Sequence, residues 1–100
     1  DGGTTLMADY QGEELQELIP AAFFKSIGLT GVSTALMKID PGAYTPDHAH
    51  DQLEEIYVLD GDFYDAEHSY GPGHYCQRAI GAMHEAGSKG GCTMLLMYRR

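Results

Sequence analysis

The residues best suited to chemistry lie in one stretch, HAHDQLEEIYVLDG, from His48 to Gly61. His48 and His50 are two apart, so in an extended chain both imidazoles leave the same face. Neutral imidazoles are the commonest protein ligands for divalent transition metals, and a pair at this spacing can fill two neighbouring coordination positions. A carboxylate from the next strand would add to such a site, and two are within reach, Glu54 and Glu55. Along that strand Glu54, Ile56 and Val58 share one face, while Glu55, Tyr57 and Leu59 share the other. Ile56 and Val58 suit the interior of a narrow barrel, and a carboxylate beside them is costly to bury unless it meets a cation. The residues therefore favour Glu54 as the ligand and leave Glu55 to solvent or a subunit contact. Taken alone, the pattern fits the wet end of a β-hairpin about as well as it fits a metal site.

The elements that must position these side chains read as short strands. Thirteen glycines and four prolines punctuate brief apolar runs, the pattern of an all-β chain. Runs at Phe23 to Leu29, Val32 to Ile39 and Glu54 to Asp60 precede DFYDA, HYCQRA, MHEA and CTMLLMY, with Asp40-Pro41-Gly42 and residues 68–73 as turns. Strands this short and regularly spaced predict a small antiparallel β-barrel or sandwich. One helical candidate stands out over residues 13–19, EELQELI, where Leu15, Leu18 and Ile19 fall on one helical face before Pro20. The alternative for that segment is an irregular arm. The expected organisation is one domain over residues 1–100, with residues 1–20 as an N-terminal arm and 21–100 as the barrel.

Composition narrows the function classes. The chain has 100 residues and a formal charge of −9, from 6 Lys plus Arg against 15 Asp plus Glu. That balance argues against nucleic acid and against anionic membrane surfaces. No run is long and apolar enough for a transmembrane helix. Cys76 and Cys92 are too few for a disulfide framework and are not a CxxC pair, so they read as free thiols in a reducing cytoplasm. The first residue is Asp1 and not Met, which leaves an upstream segment or domain open.

A second stretch supplies the deciding pattern. From Gly42 the chain reads G, five residues, HxH, three residues, E, six residues, G, ending at Gly61. This resembles the first conserved motif of the cupin superfamily. Downstream, GHYCQRAIGAMHEAGS, from Gly73 through Gly81 and His84 to Ser88, has the spacing of the second cupin motif. Ala79 replaces the usual proline there and Ser88 the usual asparagine, and neither departure touches a ligand. Gly61, Phe63, Asp65, Tyr70, Gly73, Gly81, His84 and Gly91-Cys92-Thr93 further resemble the small cupins of the ChrR group.

The resemblance implies a cupin jelly roll with one short N-terminal helix at most, and a mononuclear site of His48, His50, Glu54 and His84. It implies one divalent ion, Fe, Zn, Mn or Ni, which affinity alone does not distinguish. Tyr44, Ile56, Val58, Phe63, Ala82 and Met94 are the expected pocket-lining residues, beside a small-molecule ligand. In the ChrR group the cupin domain of anti-sigma factors binds zinc, and relatives with the same short barrel cleave β-diketones with iron and dioxygen. The alternatives for this chain are therefore a dioxygenase acting on a small diketone or hydroxyketone, a zinc-binding sensor and a structural metal site. Small cupins commonly dimerise, and the face carrying Tyr57 and Leu59 is apolar enough to expect a homodimer. His68 and His74, outside the motifs, are expected to be structural or solvated.

Overall fold

The structure, a computed structural model, describes residues 4–6, 14–49 and 51–99, with backbone alone for residues 4–6, 14 and 45–48. The elements in chain order are β1 (Thr4–Leu6), β2 (Glu14–Ile19), α1 (Ala21–Ser26), β3 (Ser33–Ile39), β4 (Tyr44–His48), β5 (Leu53–Gly61), β6 (Phe63–Tyr64), β7 (Ser69–Tyr70), β8 (Tyr75–Arg78), β9 (His84–Gly87) and β10 (Cys92–Arg99). They form two sheets, one ordered β1-β2-β3-β10-β5-β8 and the other β4-β9-β6-β7. Every pairing is antiparallel.

The alternation of side chains explains why the sheets face each other. On β3, Ala35, Met37 and Ile39 are buried; on β5, Glu54, Ile56 and Val58; on β10, Cys92, Met94 and Leu96. These positions share one face of the large sheet, because side chains of an extended chain alternate with period two. The register aligns them in rows. Met94 lies between Met37 and Val58, and Leu96 between Ala35 and Ile56. From the opposite sheet Phe63 and Ala86 close the same core cluster, which also holds Ala43. Cys92 is buried in that cluster, and burial pushes its thiol up to about 11. It is therefore a neutral packing residue at neutral pH, as is expected of a thiol in apolar surroundings.

Two expectations near the N-terminus are corrected. Residues 13–19, expected as a helix or an irregular arm, contain strand β2. The Phe23 to Leu29 run, expected as a strand, lies largely in α1 and the turn after it. Tertiary pairing decides the first. β2 completes the ladder of β3 from Glu14↔Lys38 to Ile19↔Thr34, and Leu15 packs against the core. A helix there would leave β3 with an unpaired edge, a loss that local propensity does not outweigh. Pro20, with no N–H to give a ladder, ends the strand at φ −70° and ψ 150°. Its carbonyl accepts from Phe23 N–H at 3.0 Å and opens α1, whose Ala21-Ala22 start favours helix. None of the α1 residues is buried.

Candidate metal centre

The site grows from one row of the large sheet. Glu54 on β5 pairs directly with Tyr98 on β10 and with Arg78 on β8. All three project to the inner face, at the end of the sheet where the apolar rows stop. Glu54 is 5% exposed. Its Oε2 accepts from the Tyr98 hydroxyl at 3.0 Å, and its Oε1 stands 3.9 Å from Arg78 Nε. A carboxylate this deep keeps its charge only where donors or cations gather round it.

The opposite sheet supplies an imidazole. His84 opens β9, is 8% exposed and places Nε2 at 3.4 Å from Glu54 Oε1. Its Nδ1 lies 3.2 Å from the Ala82 carbonyl. A carbonyl oxygen only accepts, so this contact is a hydrogen bond when Nδ1 carries the proton, and the neutral ring in that tautomer turns an Nε2 lone pair toward Glu54. In the antiparallel register His84 is the partner of His48, the last residue of β4, after a bulge that follows Thr45. The topology thus carries three of the four expected ligands to one end of the sandwich. His50 lies outside the described residues, and His48 is described by its backbone alone. Among the described residues no group of three metal-ligating side chains is assembled. The donor set present nonetheless fits a divalent ion. An imidazole nitrogen and a carboxylate oxygen on one ion, at bonds of roughly 2.1 Å, stand about 3.0 to 3.4 Å apart between octahedral and tetrahedral angles.

Arg78 is fixed from behind. Its guanidinium reaches Asp65 Oδ2 at 2.7 Å, and the Tyr70 hydroxyl donates to the same oxygen at 3.0 Å. Asp65 Oδ1 accepts the N–H groups of Glu67 and His68, both at 2.8 Å. Burial raises the Asp65 pKa, but these two N–H bonds, the Arg78 charge and the Tyr70 hydroxyl outweigh it and hold the carboxyl below the usual carboxylate range. Asp65 thus stays ionised as the counter-charge of Arg78. Beside this network a cleft of about 210 Å³ opens, lined by Asp65, Gln77, Arg78, Ala79, Ala82, Met83 and His84 among others.

The other expected site residues fall in three places. Ile56, Val58, Phe63 and Met94 are core residues, each at most 3% exposed. Ala82 lines the cleft next to His84. Tyr44 is 43% exposed on the outside and donates to Glu85 Oε2 at 2.7 Å. Glu55 points to the other face of β5, where it bonds the Tyr75 hydroxyl and Arg99. His68 is exposed in its turn, and His74 Nδ1 accepts from Gly71 N–H at 2.8 Å. Sequence reasoning missed Tyr98, Arg78 and the support of Asp65 and Tyr70. The alternation of Met94 and Leu96 on one face extends to Tyr98, so a signal for that residue was present.

Two packed antiparallel sheets, with motif residues on β4, β5 and β9 converging at one end, define a β-sandwich of the cupin, RmlC-like class. A family model for the ChrR cupin-like domain matches residues 3–100, and the chain belongs to that family. None of the curated proteins matches the sequence. Among solved structures, the polyketide cyclase RemF from Streptomyces resistomycificus aligns at 20% identity and a TM-score of 0.79, over 98% of this chain and 73% of that one. The anti-sigma factor ChrR from Rhodobacter sphaeroides, solved in complex with SigE, aligns at 22% identity and 0.76, over 98% and 50%. An RmlC-like cupin from Shewanella frigidimarina aligns at 16% and 0.77, over 98% and 83%. At these identities the likeness is one of fold, and this chain spans half the length of the ChrR chain it matches.

Proposed function

We propose that the chain is a mononuclear metal-binding cupin that holds one divalent ion, Fe, Zn, Mn or Ni, with His48, His50, Glu54 and His84. The reading rests on one observation above the others: buried Glu54 and His84 meet from opposite sheets, with His84 Nε2 at 3.4 Å from Glu54 Oε1. When bound, such an ion supplies Lewis-acid chemistry and, if it is iron, chemistry with dioxygen. The protein's part is to hold two donors in place from two sheets and to keep Asp65 and Arg78 paired at the margin of the site. A +2 ion with one carboxylate ligand keeps a residual positive charge, so the small ligand is an anion such as an enolate or carboxylate. The cleft beside His84 is where that ligand sits.

Acetylacetone is a suitable probe. Added to Co(II)-loaded protein, it is expected to shift the Co(II) d–d bands. Ala82→Leu, which places three more carbons in the cleft, is expected to keep the metal and weaken the probe at least tenfold, one lost apolar fit being worth about 1–3 kcal/mol. A wild-type spectrum that does not respond to the probe rejects the ligand part of the reading. Oxygen uptake by the Fe(II) form with the diketone separates an enzyme from a sensor that binds without turnover.

The same reading has two copies pair through the outer face of the large sheet. There the register aligns Leu36, Leu95, Tyr57 and Tyr75 in one row across four strands. Tyr57 is 37% exposed and Tyr75 50%. Sedimentation equilibrium at twice the chain mass is the expected result, and a monomer at micromolar concentration refutes the pairing. No described helix is long and apolar enough to cross a membrane.

A further inference from the structure

The two oxygens of Glu54 are used differently. Oε2 is turned to the Tyr98 hydroxyl at 3.0 Å, and Oε1 to His84 Nε2 at 3.4 Å. This asymmetry is built into the sheet. Tyr98 and Glu54 are direct cross-strand partners, so the β10–β5 register sets the phenol and the carboxylate side by side on one face of the sheet. The Tyr98 ring is itself packed against the core cluster, which limits its rotamers. An O–H bond to a carboxylate is charge-assisted, stronger than a neutral one, and it costs the bonded oxygen part of its basicity. On the other flank, Arg78 pairs with Glu54 in register and is held by Asp65, so the carboxylate is confined from both neighbouring strands.

We propose that Tyr98 is a positioning residue for the metal centre: its hydroxyl occupies Glu54 Oε2 and fixes Glu54 as a one-oxygen ligand through Oε1. The inference rests on the reading that Glu54 and His84 hold a divalent ion, and adds which oxygen does so and what selects it. Losing the hydroxyl while keeping the ring leaves the packing in place and lets the carboxylate rotate toward two-oxygen ligation. The carboxylate is then no longer held in one orientation before the ion arrives, so affinity falls, as it does on loss of other outer partners of metal ligands, while the coordination number of the bound ion rises.

The test is a Co(II) titration of the chelator-stripped chain, comparing wild type with Tyr98→Phe, read by visible absorption and by the melting temperature of the metal-free forms. Tyr98→Phe is expected to bind Co(II) about tenfold more weakly, within the range known for such partners. Its d–d bands are expected to weaken as the coordination number rises, while its metal-free melting temperature stays within a few degrees of wild type. A merely structural tyrosine would lower the melting temperature and leave the spectrum of the bound ion unchanged, and that result overturns the proposal. Equal affinity and equal spectra in the two proteins overturn it as well, with the metal site itself intact. If wild type takes up no Co(II), the metal reading falls and this inference falls with it.

Discussion

Alanine at Gly61 is expected to destabilise the fold by about 3–4 kcal/mol, the sum of overpacking against backbone and a left-handed conformation imposed on a residue with a Cβ. Gly61 has φ +84°, and a Cβ built there would stand 2.0 Å from the Gly91 carbonyl oxygen and 2.7 Å from Cys92 Cα. Neither atom belongs to a flexible side chain that could move aside. The approach is this close because the end of β5 and the start of β10 are tied together. Gly61 pairs with Cys92, the Asp62 N–H donates to the Gly91 carbonyl at 3.1 Å, and the Asp62 carboxylate accepts from the N–H groups of Lys89 and Gly90. For a chain of this length the cost corresponds to a melting temperature lowered by more than about 12 °C. Gly42→Ala is the control. Gly42 has nearly the same φ, +83°, but nothing within 4 Å of its would-be Cβ. Only the conformational cost of about 1–2 kcal/mol applies there. Thermal melts of the two variants read the difference directly, and equal melting temperatures would show that the Gly61–Gly91 contact does not restrain the fold.

His84→Ala is expected to lower metal affinity by at least ~100-fold, beyond the 10- to 100-fold that loss of an outer partner costs. The imidazole sits on the opposite sheet from Glu54, so no other residue of β9 replaces it: Glu85 bonds Tyr44 on the outside, and Ala86 is part of the apolar core. His68→Ala serves as the control, since His68 is exposed in the turn after β6. Metal content after equilibrium dialysis against a fixed free Zn(II) concentration separates them. Full loading of the His84 variant would remove that residue from the site.

The parts of this molecule that were legible in its sequence are those written locally. Period-two alternation around Ile56 and Val58 distinguishes Glu54 from Glu55, and the structure places the first inside and the second on the outer face, with Tyr75 and Arg99. The spacing from Gly73 to His84, read through the resemblance to the second cupin motif, locates the strand that pairs with β4. What was not legible depends on which strands become neighbours. Tyr98 and Arg78 lie 44 and 24 positions from Glu54, and the alternation that turns Tyr98 inward with Met94 and Leu96 does not say which residue it meets there. Only the order β10-β5-β8 sets them in one row. The N-terminal error has the same origin. Leu15, Leu18 and Ile19 satisfy a helical stripe as well as a strand, and the unpaired edge of β3, distant in sequence, decides between them. Pocket lining was misjudged for a related reason. Ile56, Val58, Phe63 and Met94 do face inward, but in a sandwich this small the inward space between the sheets is core, and the cleft lies at the end by His84.

In the function proposed above, buried Glu54 and His84 converge because one divalent ion joins them. Elemental analysis of the wild-type chain, purified without chelators and dialysed against metal-free buffer, tests this most directly. Close to one divalent transition-metal ion per chain is the expected result, lost together with either side chain in Glu54→Gln and His84→Ala. Wild-type protein that is folded, carries less than about a tenth of an equivalent, and takes up no more when offered Fe(II), Zn(II), Mn(II) or Ni(II) would contradict it.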